Sequence, residues 1–196
     1  NNQIPLFNGG TEDNLEEFNK LVGSKNSDVK NKTNIISGIY SYIHKKNALF
    51  FEAGEPPKKG FSQSYQSGPL SFEFYLDGSK IITNCGFGLN ISPKAELLSR
   101  LTSAQSTLSL NDTSITKFER NKLINKIFGN SIKNTFKVNN FANIEDEEKI
   151  SFSASHNGYE KNYGCTHKRE LSLYKLNGKL MGKDEIKKKK DGKRSE

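Results

Sequence analysis

Residues 70–84 restrict the fold more than any other stretch. In Leu70-Ser-Phe-Glu-Phe-Tyr-Leu76, Leu70, Phe72, Phe74 and Leu76 fall on one face, and Ser71, Glu73 and Tyr75 on the other. A period of two is the mark of a strand with one face toward a core. Asp77-Gly78 supplies a tight turn and Lys80-Ile-Ile-Thr-Asn84 returns, so the segment reads as a β-hairpin. A lone hairpin is marginal in water, so this one needs more strands around it.

The rest of the chain offers them. Ile35 to Ile43 is rich in β-formers, and Asn47 to Glu52 continues as a second strand until Gly54 and Pro56-Pro57 break it. Further strands are predicted over Ser106–Leu110, Ser114–Glu119, Thr135–Val138 and Lys149–Ser155. Lys168–Lys175 and Lys179–Met181 pair across Asn177-Gly178, read as a type I′ turn. Helical spacing is limited to Glu12–Val22, capped by Thr11, and to Pro93–Leu101 and Lys122–Phe128. Many short strands with turn signals between them predict an all-β fold, an antiparallel β-sandwich or barrel.

The 196 residues suit one domain, or one and a fragment. Only 33% are hydrophobic, but thirteen Phe and seven Tyr supply bulk for a core. No apolar run approaches the ~20 residues of a membrane helix, and Asn1-Asn-Gln-Ile-Pro5 lacks the features of a signal peptide. Cys85 and Cys165 fit no metal spacing and are expected as free thiols in or near the core. Much of the net charge of +8 lies in Lys187-Lys-Lys-Lys-Asp-Gly-Lys-Arg194. Such a run is a solvated tail or a field that attracts polyanions. It has no interleaved aromatics, so base stacking on nucleic acid is not expected there. The chain stops in this charged segment just after a hairpin, and the domain is expected to be incomplete at that end, with a sheet edge unpaired.

The densest chemistry is Ser153-Ala-Ser-His-Asn-Gly-Tyr159, followed by Tyr163-Gly-Cys-Thr-His-Lys-Arg-Glu-Leu171. Two of the three histidines, His156 and His167, lie here. They read either as solvated rings on a surface hairpin or as part of a polar pocket at the mouth of a sheet. Asp112 or Asp184 could complete a metal set with them, though the spacing does not demand one. No serine stands on a glycine elbow. Arg169, with Lys161 nearby, suits a carboxylate or sulfate; a cross-strand pair with Glu170 or Glu73 serves equally.

Ser71-Phe-Glu-Phe, Ile82-Thr-Asn-Cys-Gly86, Ser103-Ala-Gln-Ser-Thr-Leu108, Asn111-Asp-Thr-Ser114, Ser155-His-Asn-Gly-Tyr159 and His167-Lys-Arg-Glu-Leu171 occur in an ordered set. This set resembles the C-terminal β-sandwich of the heparinase II/III-like family, especially its alphaproteobacterial branch. Gly182-Lys-Asp184 is similar to that branch's Gly-Glu-Asp. The resemblance runs from about Pro5 to Asp184. It implies a carbon–oxygen lyase acting on polysaccharides in the bacterial envelope or periplasm. It also implies that residues 1–30 end an α/α toroid domain and its linker, with the sandwich over 31–196. The family reaction is β-elimination at a uronic acid, and the toroid supplies a Tyr and a His/Asn pair.

By that resemblance His156 and His167 are the catalytic candidates, and Asn84, Gln105, Tyr159 and Arg169 the substrate-binding ones. The implied partners are an acidic polysaccharide and the preceding toroid, with no nucleic acid. Some members hold a structural zinc, and His156 is a candidate for its shell. Many members carry His where this chain has Gln66 and Gln105, and glutamine neither accepts a proton at neutral pH nor ligates zinc well. A non-catalytic carbohydrate-binding or scaffolding sandwich is the alternative.

Overall fold

The computed structural model describes residues 5–10 and 32–189. The helix expected over Glu12–Val22 and the end of the basic run lie outside the described residues. Five strands form one antiparallel sheet in the order β1-β2-β3-β4-β5: β1 (Lys32–Ile36), β2 (Ile39–His44), β3 (Asn47–Glu52), β4 (Phe72–Leu76) and β5 (Ser79–Ile82). Four form a second, in the order β6-β7-β8-β9: β6 (Val138–Glu145), β7 (Lys149–His156), β8 (Cys165–Tyr174) and β9 (Leu180–Lys188). The sheets share one core. Tyr42, Leu49, Phe51 and Phe74 of the first, with Leu70 just before β4, meet Ile150, Phe152, Ala154, Leu171 and Leu173 of the second. The rings of Phe51 and Phe152 stack across the sandwich with centroids 6.2 Å apart. The fold is the expected antiparallel β-sandwich.

Two hairpins differ from the sequence reading. The run from Ile35 to Ile43 is two strands, because Ser37 (φ 51°) and Gly38 (φ 82°) reverse the chain. Two adjacent positive φ values are what a type I′ turn requires. At Asn177-Gly178 only Gly178 is left-handed (φ 65°), so the turn is not type I′. The loop is longer: Gly178 N–H donates to the Tyr174 carbonyl (3.0 Å) and Tyr174 N–H to that of Lys179 (2.9 Å).

Residues 83–137 cross between the sheets without a strand. They hold α1 (Pro93–Ser99), capped by the Ser92 side chain, and α2 (Lys122–Phe128), capped by Asn121. The strands expected over Ser106–Leu110 and Ser114–Glu119 shrink to single bridges, Leu110 with Thr113 and Phe118 with Ile132. The one expected over Thr135–Val138 begins only at Val138. The physical reason is that side chains take the place of a ladder. Ile115 N–H donates to Thr102 Oγ1, Thr116 N–H to Ser67 Oγ, and Lys117 N–H to Asn134 Oδ1. Arg100 pins this region. It is fully buried, donates to the carbonyls of Tyr65, Asn130 and Ser62, and lies 4.2 Å from the Phe118 ring centroid.

Residues 5–10 lie against the sandwich as a strap, held by buried carboxylates. Leu6 N–H donates to Glu73 (2.9 Å) and the Asn8 amide to Glu52 (2.7 Å), which also accepts from Ser71 Oγ (3.0 Å). Burial pushes the Glu52 carboxyl up to about 7, against these two hydrogen bonds.

Gly38 also allows a close approach. A Cβ there would meet Gly54 Cα and lie 2.9 Å from Gly54 N. Gly38→Ala is therefore expected to lower stability by about 2 kcal/mol or more, through left-handed strain and backbone collision. Urea unfolding measures this, and an unchanged midpoint would show that the turn relaxes freely.

Candidate functional site

The inward row of β8 changes character along its length. Leu173 and Leu171 sit in the core; Arg169, His167 and Cys165 continue the same buried face. On β7 the row Ile150, Phe152, Ala154 ends in His156. Antiparallel register sets His156 opposite His167, Ala154 opposite Arg169, and Arg169 opposite Asp184 of β9. The two histidines eleven residues apart thus become neighbours through pairing alone.

The hydrogen bonds run in one direction. Gly158 N–H donates to His156 Nδ1 (3.1 Å), so that nitrogen carries a lone pair. The ring proton is then on Nε2, which donates to His167 Nδ1 (3.1 Å), and His167 Nε2–H donates to Asp184 Oδ1 (2.7 Å). Arg169 closes the chain. Its Nε and Nη2 grip Asp184 at 2.7 and 2.9 Å, and Nη1 reaches the carbonyls of Leu70 (2.9 Å) and Ser106 (2.6 Å). Burial, aided by the neighbouring His167 and the Arg169 charge, holds His156 down at about 3. Burial alone would raise the Asp184 carboxyl. The hydrogen bonds from His167 and Arg169 and the Arg169 charge outweigh it and hold Asp184 well below the usual carboxylate range.

All six residues singled out from the sequence are buried: His156 1%, His167 0%, Tyr159 0%, Asn84 1%, Gln105 8% and Arg169 7% exposed. The solvated-hairpin reading is therefore excluded. The geometry also differs from an open polar pocket. Tyr159 packs on the His156 ring, donates to the Leu108 carbonyl (2.7 Å), and is pushed up to about 12 by burial. Asn84 Oδ1 accepts from Ser106 N–H (2.9 Å), so Ser106 joins Asn84 to Arg169. Arg169 pairs with Asp184 rather than with Glu170 or Glu73. A general acid or base must reach its proton at about 2.6–3.2 Å, and both nitrogens of each histidine already have protein partners.

Gln66 and Gln105 meet at a separate node. Both amides donate to the Ser99 carbonyl (3.0 and 2.7 Å), Gln66 also donates to the Gly86 carbonyl (2.7 Å), and its oxygen accepts from Gly9 of the strap (3.1 Å). Cys85 Sγ lies against the Gly86 and Ser99 carbonyls, where desolvation pushes the thiol up. Zinc binds thiolate, imidazole or carboxylate. This node offers amide donors turned toward carbonyls, and His156 has no free nitrogen, so zinc does not fit these residues. Cys85 itself is exposed and Cys165 buried, both as free thiols.

The comparisons agree with the fold. The family model "Heparinase II/III-like, C-terminal" matches residues 36–193. The chain belongs to that family. A heparan sulfate lyase HepC mutant from Pedobacter heparinus matches with a TM-score of 0.64 at 13% identity, over 93% of this chain and 29% of that one. A heparinase III matches at 0.61 and 13%, over 95% and 30%. Another heparinase III, the BT4657 gene product, matches at 0.63 and 14%, over 94% and 29%. This heparinase-like sandwich thus spans less than a third of its solved relatives' length. No curated protein matches it. Among the described residues no helix is long and apolar enough to cross a membrane.

Sequence reasoning missed Ser106, Arg100 and Glu52. It had Asp184 only as a metal candidate or a motif residue. Asp184 was signalled by its place on the strand returning from Asn177-Gly178, but the register depends on the true loop length.

Two titrations oppose each other. Glu52, raised to about 7, contributes stability present below its unfolded pKa near 4.5 and lost as pH rises through 7. His156, lowered to about 3, contributes stability present above its unfolded pKa near 6.5 and lost as pH falls toward 3. Between about pH 4.5 and 6.5 each slope is about 1.4 kcal/mol per unit, with opposite signs. Urea unfolding across this window is expected to be nearly flat for the natural protein, to rise with pH for Glu52→Gln, and to fall for His156→Gln. Parallel slopes in all three would contradict the burial of one or both groups. Excess chelator is expected to leave the thermal midpoint within about 1 °C. A drop of several degrees would reveal a metal.

Proposed function

We propose that this chain is the β-sandwich part of a polysaccharide lyase that cleaves acidic, uronate-containing polysaccharide by β-elimination. The observation that carries the reading is the family match over residues 36–193. In such a reaction the substrate carboxylate is neutralised, a base removes the C5 proton, and an acid protonates the leaving glycosidic oxygen. Under this reading the Tyr and the His/Asn pair come from a preceding α/α toroid, of which residues 1–30 are the end, and substrate lies between toroid and sandwich. The sandwich serves as a stiff wall. The His156–His167–Asp184–Arg169 chain orders that wall and positions its surface, and Asn84, Gln105 and Tyr159 support the loops around it. A bacterial envelope or periplasmic location follows from the same reading, as does a heparan-type glycosaminoglycan as the first substrate to try.

A second reading is a carbohydrate-binding or scaffolding sandwich without catalysis. The closed hydrogen-bond chain and the two buried glutamines favour it, because none offers an open acid or base.

The test is the full-length parent protein on a panel of acidic polysaccharides, followed by ultraviolet absorbance of new unsaturated uronate. A signal on one polymer is expected. Arg169→Ala is expected to cost about 2–3 kcal/mol of stability, chiefly by stranding the carbonyls of Leu70 and Ser106, since Asp184, more than a third exposed, regains water. The folded fraction of that variant should keep its turnover number within a few-fold. Silence across the panel with retained binding would select the second reading. A large loss of turnover at unchanged stability would give Arg169 a direct role at the substrate.

A further inference from the structure

Helix α1 does not bury its leucines as an amphipathic helix should. Leu97 is 36% and Leu98 49% exposed. Together with Leu101 they line a groove of about 580 Å³, whose other wall is the segment Thr113–Arg120. That volume lies in the range of binding clefts. Apolar surface left open in a concave site, with polar groups around it, marks a place where a ligand lies.

The rim shows which kind of ligand. Lys117 and Arg120 line the groove, are exposed, and make no ion pair with a carboxylate among the described residues. The neighbouring carboxylate, Glu119, is engaged by other groups, among them Lys133, which also lines the groove. It faces Lys133 (3.2 Å) and Lys59 (3.8 Å) and accepts the backbone N–H groups of Arg120 and Asn121. None of the residues lining the groove is acidic. Thr116, 1% exposed and also lining it, has a hydroxyl with no hydrogen-bond partner among the described residues.

We propose that this groove between α1 and the Thr113–Arg120 segment is a binding subsite for acidic carbohydrate. Leu97, Leu98 and Leu101 take the C–H faces of the sugar rings. Lys117 and Arg120 take their carboxylate or sulfate groups, the arginine through its planar fork. The proposal rests on the lyase reading for the sugar class, while the groove and its charge are independent of that reading. The subsite holds the polymer away from the bond that is cut, so it acts on affinity rather than on the chemical step.

The experiment uses the full-length parent protein and a size-defined, uronate-containing sulfated oligosaccharide, its carboxyl-reduced form and an acidic peptide of equal charge. Binding is measured by titration calorimetry at low and physiological salt. Lys117→Glu/Arg120→Glu is compared with Lys45→Glu/Lys46→Glu, which makes the same charge change at the β2–β3 turn, outside the groove. The groove variant is expected to weaken oligosaccharide binding about tenfold or more, and the control to weaken it less than about threefold. Leu98→Asp, an exposed change, should weaken it too. Circular dichroism of each variant confirms that the fold is retained. Equal losses in the two charge variants would reduce the effect to net charge and overturn the proposal. Undiminished binding in the groove variant of a parent that still cleaves polysaccharide would overturn the subsite alone. A parent that neither binds nor cleaves any acidic polysaccharide would overturn the lyase reading and the subsite together. Tighter binding of the peptide than of the oligosaccharide would replace the sugar with a protein partner.

Discussion

Arg169 is the residue on which the two sheets agree. Four of its five N–H groups are engaged, two by Asp184 on β9 and two by carbonyls of Leu70 and Ser106. Leu70 leads into β4 of the opposite sheet, and Ser106 lies in the long crossing segment. One guanidinium thus ties an edge strand, the facing sheet and the loop between them. The charge is compensated at bidentate distance, which meets the demand that a buried ion be paired. Such a pair adds little net stability compared with an apolar core of equal volume. Its geometry, however, admits one arrangement of β8 against β9 and of both against Leu70.

The histidines extend this constraint. Because Gly158 donates into one end of the chain and Asp184 accepts at the other, each ring has one tautomer. Protonating His156 would place a third charge beside Arg169 in a desolvated space, and this is why its affinity for a proton is so low.

The period-two patterns on β4, β7 and β8 were legible because each strand shows one face to a core of Leu, Ile and Phe. The same rule ended those strands at Ser155 and Lys168, one residue short of His156 and His167, whereas β7 runs through His156 and β8 begins at Cys165. What stayed hidden was register. A two-residue turn at Asn177-Gly178 would set Arg169 opposite Ile186; the longer loop shifts the pairing by two residues and sets it opposite Asp184. The crossing segment was illegible for a different reason. Its Ser, Thr and Asn side chains satisfy backbone N–H groups that a ladder would otherwise hold, so β-forming composition there yields irregular structure. Arg100 and Glu52 carry no local pattern at all. A buried charge is recognised only by partners far away in sequence, as with Arg100 and the carbonyl of Asn130.

The Gln66–Gln105 node cross-links its surroundings through neutral groups. Two amides converge on the Ser99 carbonyl, and the Gln66 oxygen accepts from Gly9 and holds the strap. A metal ion would do similar cross-linking through anionic or imidazole ligands, but its strength would depend on pH and on metal supply. Amide-to-carbonyl bonds depend on neither. The same neutrality removes any acid–base function from the node. Glu52, which also holds the strap, has its carboxyl pushed up to about 7 because burial opposes its ionisation. At the strap, then, a neutral amide works beside two buried carboxyls, Gln66 at Gly9, Glu73 at Leu6 and Glu52 at Asn8.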